Sequence, residues 1–103
     1  MATLIIRLRG DGVDDILDVM ADESGRLAQA LTDLDDRYPY LSCIDQYGIT
    51  VFNRLQARIL LAEIDRVRSE SQFASLAGVL DRLAAMAERC AQEVHLFVEI
   101  EGD

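Results

Sequence analysis

The chain has 103 residues, of which 50% are hydrophobic and 28% are charged. One compact domain is typical of this length, and the high apolar content with interspersed charges excludes a wholly disordered chain. Nineteen acidic residues against ten arginines give a net charge of −9. This balance argues against nucleic-acid binding, which depends on basic side chains, and the lack of lysine excludes Schiff-base chemistry.

Membrane insertion and export are also not expected. No stretch approaches the roughly 18 apolar residues that a spanning helix requires. The start of the chain, Met1–Arg7, reaches a charged residue too early for a signal peptide. We therefore expect a cytoplasmic protein without membrane contact.

Two short strands are predicted near the start of the chain. Apolar residues alternate with others across Thr3–Arg9, which predicts a strand with one wet face. Gly10–Gly12 supplies turn residues, and Asp15–Met20 then fits either a short helix or a returning strand. We favour the strand, because hairpins commonly follow such turns.

A first helix is predicted over Ser24–Asp35, where apolar residues recur at helical spacing. Asp22 or Ser24 can cap its first turn. Pro39 marks its end, because proline disfavours helical backbone in the residue before it.

A second hairpin is predicted around Asp45–Gly48. The apolar runs Leu41–Ile44 and Ile49–Phe52 flank this four-residue connection, whose glycine can close a tight turn. The prediction places Cys43 in the first of the two strands.

Two further helices follow this hairpin. Asn53 and Gln56 have the spacing of a capping-box variant, and an apolar stripe then predicts a helix over Leu55–Arg68. Ser69–Ser71 interrupts the pattern, and a longer helix is predicted over Gln72–Glu93.

The last predicted element is a strand over Val94–Glu101, which alternates between apolar and polar residues. Its wet face is acidic, whereas the wet face of the first strand carries Arg7 and Arg9. Opposite charges are favoured as cross-strand pairs, so we expect these two strands to be neighbours, with Arg7 or Arg9 beside Glu99 or Glu101.

Together these elements predict one α+β domain over residues 1–103. The expected order is β-β-α-β-β-α-α-β. The expected sheet is antiparallel or mixed, has four to five strands, and is covered by helices on one face.

No catalytic or zinc-binding pattern is recognisable. Cys43 and Cys90 lack the short spacing of zinc ligands, which favours buried thiols in a reducing compartment. His95 is the only histidine, placed on the wet face of the last strand, and an enzyme would have to use it with an acid such as Glu99 or Asp45. No nucleophile motif accompanies it, so we predict a non-enzymatic protein without a cofactor.

Acidic residues concentrate near the start of the chain. Asp11–Asp22 does not match a calcium loop, since glycine falls at the second position and aspartate at the twelfth, and no metal site is predicted. A solvated acidic edge is the simpler interpretation. It can also dock a basic partner through Asp14, Asp15 and Asp18, because charge complementarity speeds association.

The second hairpin and the start of the next helix form another candidate binding region, since tyrosine and arginine are enriched at binding hot spots. Turn formation and helix capping explain several of the same residues. The candidates are Tyr38, Tyr40, Asp45, Tyr47, Asn53 and Arg54.

The long helices offer a third possible interface. A second apolar edge on the last helix permits a homodimer through helices 54–93, and ordinary packing within the chain explains it equally well. This edge comprises Val79, Leu83, Met86 and Cys90.

Several segments together resemble a group of small uncharacterised bacterial proteins. They are YPYL at 38–41, DQYGITVFNRLQ at 45–56, HLFV at 95–98 and the closing GD at 102–103. The resemblance covers most of the chain and implies a bacterial cytoplasmic protein, without an activity or a site residue.

The composition and the candidate surfaces favour a non-catalytic protein-binding domain. An acidic immunity-type inhibitor that masks a basic surface on a toxin is compatible with the size and charge. A homodimeric scaffold or regulatory subunit is the alternative. Residues 1–48 hold ten acids and four arginines, a net charge of −6, against −3 for residues 49–103, so we expect a charge-driven partner on the N-terminal acidic edge.

Overall fold

A computed structural model describes residues 3–12 and 14–102 of the chain. Met1, Ala2 and Asp103, which entered the predictions above, lie outside these residues. The strands are β1 (Ile5–Arg9), β2 (Ile16–Ala21), β3 (Ile49–Phe52) and β4 (Phe97–Glu101). The helices are α1 (Arg26–Asp33), α2 (Pro39–Ser42), α3 (Arg54–Arg68) and α4 (Ala77–Gln92), with a 3₁₀ segment over Ser71–Leu76 before α4.

The strands form one antiparallel sheet in the order β2-β1-β4-β3 within the described residues. The predicted α+β class and the pairing of the first and last strands are both confirmed. Arg7 lies opposite Glu99, and its Nη1 is 3.0 Å from Glu99 Oε2 and 2.8 Å from Glu101 Oε1. Arg9 Nε lies 3.0 Å from Glu99 Oε1.

One face of the sheet is covered by the helices. Alternation places Ile6, Leu8, Val98 and Ile100 on this face, where each side chain is at most 1% exposed. Helices α3 and α4 pack on them and on each other through their apolar stripes. Buried residues of the two helices include Leu60, Ile64, Leu80, Leu83, Met86 and Cys90.

The predicted strand at Asp15–Met20 is confirmed as β2, which begins at Ile16 and lies at an edge of the sheet. Five of its six residues are exposed. Its register with β1 shifts at one end, since Leu8 pairs with Asp18 but Arg9 pairs with Ile16, so Leu17 is the extra residue of a β-bulge.

The predicted strand over Leu41–Ile44 is wrong, because Pro39–Ser42 forms the short helix α2. Proline suits the first position of a helix, where no backbone donor is required. The buried Glu63 carboxylate accepts hydrogen bonds from the amides of Tyr40 and Leu41. The turn at Asp45–Gly48 therefore joins α2 to β3 rather than two strands.

The predicted helix over Gln72–Glu93 is divided in two. Phe73 has non-helical backbone angles (φ −108°, ψ 16°), and it and Leu76 are buried three residues apart, as 3₁₀ geometry allows. The regular helix starts only at Ala77.

The last strand starts at Phe97, three residues later than predicted. His95 takes a left-handed backbone conformation (φ 67°), which interrupts the alternation, so its predicted place on the wet face of the strand is wrong. Helix α1 is likewise shorter than Ser24–Asp35. In the part of the chain that the structure describes, no helix has the length and apolarity to cross a membrane.

Candidate protein-binding site

The predicted docking carboxylates lie together at one end of the β1–β2 hairpin. Gly10 N donates to Asp15 O (2.8 Å) and Asp15 N donates to Gly12 O (3.1 Å), which folds the connection into a tight loop. This loop presents Asp14 and Asp15 to solvent, and the exposed Asp18 follows on β2. We call Asp14, Asp15, Leu17 and Asp18 the acidic edge.

The charge of the acidic edge is only partly compensated. Asp18 Oδ1 lies 3.2 Å from Arg82 Nη2, in an exposed ion pair. The side chains of Asp14 and Asp15 make no hydrogen bond or ion pair with any other described residue. The neighbouring Asp11 faces His95, with 3.1 Å between Asp11 Oδ2 and His95 Nδ1. The uncompensated charge therefore lies at the loop.

An exposed apolar side chain on an outer strand of the sheet accompanies these carboxylates. Leu17, the bulge residue, is 42% exposed. Among the described strands β2 pairs only with β1, so its outer edge has no neighbouring strand. The backbone of Val19 on this strand is already engaged, since its N–H donates to Asp18 Oδ1 (2.9 Å) and its C=O accepts from Arg82 Nη2 (3.2 Å). The acidic edge thus combines charge with exposed apolar surface at an outer strand of the sheet.

The second candidate region is divided between buried and exposed residues. Tyr38 is only 3% exposed; its hydroxyl donates to Glu70 Oε2 at 2.6 Å, and the Arg66 guanidinium lies over its ring at 4.8 Å. The half-buried Tyr40 stacks on Phe52, with 6.0 Å between ring centroids. These tyrosines hold the fold together and present little surface to a partner.

The remaining candidates in this region have local roles or are exposed. Asn53 accepts from Gln56 N and the Gln56 side chain accepts from Asn53 N, each at 2.9 Å, which confirms the capping box. Asp45 Oδ1 accepts from Tyr47 N at 2.9 Å and closes the turn. Tyr47 itself is 81% exposed, and Arg54 is half-buried.

The Tyr38 hydrogen bond leads to a pH-dependent prediction. Its donation to the Glu70 carboxylate, aided by burial, raises the pKa of Tyr38 above its ordinary value of about 10. Above that pH the unfolded chain loses this proton before the folded chain does, so stability falls as pH rises.

We expect Tyr38→Phe to destabilise the fold by about 1 kcal/mol at neutral pH, through loss of this hydrogen bond. The difference from the unsubstituted chain should shrink above pH ~10 in urea unfolding. Tyr47→Phe, at an exposed position, is the matched control. It should change neither the free energy of unfolding at neutral pH nor its dependence on pH. A constant difference up to high pH would contradict the assignment.

The two thiols differ in exposure. Cys90 is buried, as predicted, and burial raises its pKa. The prediction of a buried Cys43 in a strand is wrong, because this residue follows α2 and is exposed. His95 is exposed as well. No group of acidic, histidine or cysteine side chains within residues 3–12 and 14–102 is arranged to hold a metal ion.

Two concave regions lie on the described part of the surface. A groove of about 300 Å³ lies between α1 and the 3₁₀ segment, with Arg26, Asp33 and Phe73 among its lining residues. A shallow depression of about 370 Å³ on the other side of the sheet is lined by Arg7, Arg9, Ile16 and Glu99. His95 lines neither of them.

The apolar edge predicted on the last helix is directed into the chain. Leu83, Met86 and Cys90 are at most 2% exposed and Val79 is half-buried, so packing within the chain accounts for them. Leu55 and Ile59, on α3, are the large apolar side chains that the long helices expose among the described residues.

Glu63 has a role that its residue type did not suggest. It is 3% exposed and accepts hydrogen bonds at the start of α2. The available signal was its position on the apolar stripe of α3, between Leu60, Ile64 and Val67, where a charged residue requires buried partners.

No protein-family model, curated protein or solved structure matches the chain.

Proposed function

We propose that this chain is a non-catalytic protein-binding domain that docks a basic protein on its acidic edge. The observation that carries the proposal is the loop between β1 and β2. Within residues 3–12 and 14–102, it exposes the uncompensated carboxylates of Asp14 and Asp15 beside the exposed Leu17, on a strand that pairs only with β1.

Each component of this surface contributes differently to association. Uncompensated carboxylates attract a basic surface over distances of about 10 Å and raise the association rate. The exposed Leu17 supplies apolar area that a partner can bury.

An immunity-type inhibitor of a toxin is the form of this function that we propose. Toxins that act on nucleic acids need basic surfaces to bind phosphates. A small acidic domain in the bacterial cytoplasm can mask such a surface by charge complementarity. The net charge of −9 supports this role.

The experiment is co-expression with each protein encoded beside this chain in its genome. We expect one neighbour to inhibit growth when expressed alone, and the chain to restore growth and to bind that protein in purified form. The substitutions Asp14→Asn, Asp15→Asn and Asp18→Asn, made together, should weaken binding about tenfold or more, mainly through slower association.

A matched control neutralises three other exposed carboxylates, by Asp33→Asn, Asp36→Asn and Glu88→Gln. Their side chains have no hydrogen bond or ion pair with other described residues, and the net charge changes equally. This control should stay within about twofold of the unsubstituted chain. Equal losses in both triple variants, or no toxic or bound neighbour, would contradict the proposal.

A homodimeric scaffold is the second candidate function. It is favoured by the side of the sheet opposite the helices, which no described element covers and which carries exposed apolar side chains. An enzyme that uses His95 has less support, because this residue is 75% exposed and pairs with Asp11.

A further inference from the structure

The side of the sheet opposite the helices has an ordered composition across its four strands. Apolar residues occupy the two outer strands, and charged residues lie mainly on the two central strands. We call this surface the open sheet face. Its residues are Ile16, Val19 and Ala21 on β2, Ile5, Arg7 and Arg9 on β1, Phe97, Glu99 and Glu101 on β4, and Ile49 and Val51 on β3.

The charges at the centre of this face neutralise one another. Arg7 and Arg9 on β1 pair with Glu99 on β4, and Arg7 also pairs with Glu101. The charges on the face therefore sum to zero, although the whole chain carries −9. A second copy would be repelled from the acidic parts of the surface but not from this face.

The apolar residues on either side of these charges are exposed. Val19 on β2 is 51% exposed and Val51 on β3 is 41% exposed, and Ile16 and Ile49 are 49% and 63% exposed. Antiparallel sheets commonly have one solvated face, but that face is then usually polar. Two exposed apolar margins around a neutral centre are typical of a surface that another protein covers.

We propose that the open sheet face is a homodimer interface, in which two copies pack sheet against sheet about a two-fold axis. The axis runs parallel to the strands, between β1 and β4. Rotation about it places β1 over the partner's β4 and β2 over the partner's β3. The apolar outer strands of the two copies therefore face each other, and the arginines of β1 face the glutamates of the partner's β4.

The register of the sheet makes this arrangement specific. Arg7, Glu99, Val19 and Val51 lie at one level, since Arg7 is opposite both Val19 and Glu99, and Glu99 is opposite Val51. The two-fold rotation keeps each residue at its level. Arg7 then lies over the partner's Glu99, and Val19 lies over the partner's Val51.

The size of the face sets the strength of the dimer. Four strands about 4.8 Å apart and five residues at about 3.4 Å each give a face of roughly 19 by 17 Å. This is small beside the roughly 800 Å² per partner of a standard interface. We therefore expect a reversible dimer that dissociates on dilution.

The first measurement is sedimentation velocity of the purified chain from low to high micromolar concentration. We expect the average mass to rise towards twice the 11.5 kDa of the chain. Val19→Glu should weaken dimerisation about tenfold or more, because it places a carboxylate over an apolar side chain of the partner. Leu55→Glu, at an exposed position on α3 outside the open sheet face, is the control and should not weaken it.

The geometry is tested by an intermolecular rescue. Val51→Lys should weaken dimerisation by itself, but a mixture of the Val19→Glu and Val51→Lys chains should associate more strongly than either variant alone. Three strand spacings, about 14 Å, separate the two positions within one chain, so the rescue requires two copies. Thermal melts verify that each variant is folded. If a variant does not fold, the double variant Val19→Thr/Val51→Thr replaces it, and we again expect weaker dimerisation.

Several outcomes would overturn the proposal. One is a monomer at every concentration, which is expected if a different protein covers this face. The others are unchanged dimerisation in Val19→Glu, absence of rescue in the mixture, and loss of the dimer in Leu55→Glu. The last result would assign the interface to the helices instead.

Discussion

Replacement of Glu63 by alanine is expected to lower the free energy of unfolding by about 3 kcal/mol. The carboxylate lies between α3 and the start of α2 and is 3% exposed. Its Oε1 accepts from Leu41 N at 2.9 Å and from Tyr40 N at 3.1 Å, and Oε2 also lies 3.1 Å from Tyr40 N. Alanine would leave both amides without acceptors in a place that water reaches poorly.

The measurement is urea unfolding of the purified chain at neutral pH. Glu63→Gln separates charge from shape, because the amide keeps the volume and one oxygen acceptor but turns its NH₂ group towards a donor. We expect an intermediate loss of about 1–2 kcal/mol for it. Glu88→Ala, at an exposed position on α4, is the control and should change stability by less than about 0.5 kcal/mol. A Glu63→Ala loss as small as that of the control would contradict the capping role.

Replacement of Asp22 by alanine is expected to cost about 2–3 kcal/mol. Helix α1 follows Gly25, a residue with left-handed backbone and no side chain to cap the helix. Asp22 takes over this function from three residues earlier, since its two oxygens accept from Leu27 N at 3.2 Å and Ala28 N at 3.0 Å. The residue is 1% exposed, so water cannot replace these bonds.

The same unfolding experiment tests this cap. Asp22→Asn retains one oxygen acceptor and should lose about half as much stability as Asp22→Ala. The remaining loss arises because the amide lacks the second acceptor and the favourable negative charge at the helix N-terminus. Asp33→Asn, an exposed change at the other end of α1, should be close to neutral. If Asp22→Ala proves as mild as Asp33→Asn, the backbone amides of α1 must find other partners.

Elements that depend on local pattern or on paired charge could be predicted from the sequence. The alternation of β1 and the last strand, with arginines on one and glutamates on the other, predicted their pairing. The Asn53–Gln56 capping box was equally readable, because its partners lie three residues apart. Both signals are contained in the residues that form the contact.

Elements that depend on distant partners could not be predicted. The run Leu41–Ile44 is as apolar as a strand, and it starts within a helix because Glu63, 22 residues beyond Leu41, caps that helix. The left-handed backbone of His95 likewise has no local cue such as glycine.

The candidate binding residues divide in the same way. Asp14 and Asp15 were predicted as exposed, and the turn chemistry of the neighbouring glycines explains why they are. Tyr38 was predicted as a binding residue, but within the fold its hydroxyl donates a hydrogen bond to Glu70, 32 residues away. Residue type indicated a hot spot there, whereas burial depends on long-range packing.

The sheet order has a consequence for how the chain folds. Strand β4 joins the β1–β2 hairpin on one side to β3 on the other, and 92 residues separate Arg7 from its partner Glu99. Contacts between residues so far apart in sequence slow folding, because a long loop must be closed before they form. During synthesis, β1 and β3 cannot join one sheet until β4 has emerged from the ribosome. Strand β4 follows every helix described here, so the sheet is completed after these helices have emerged.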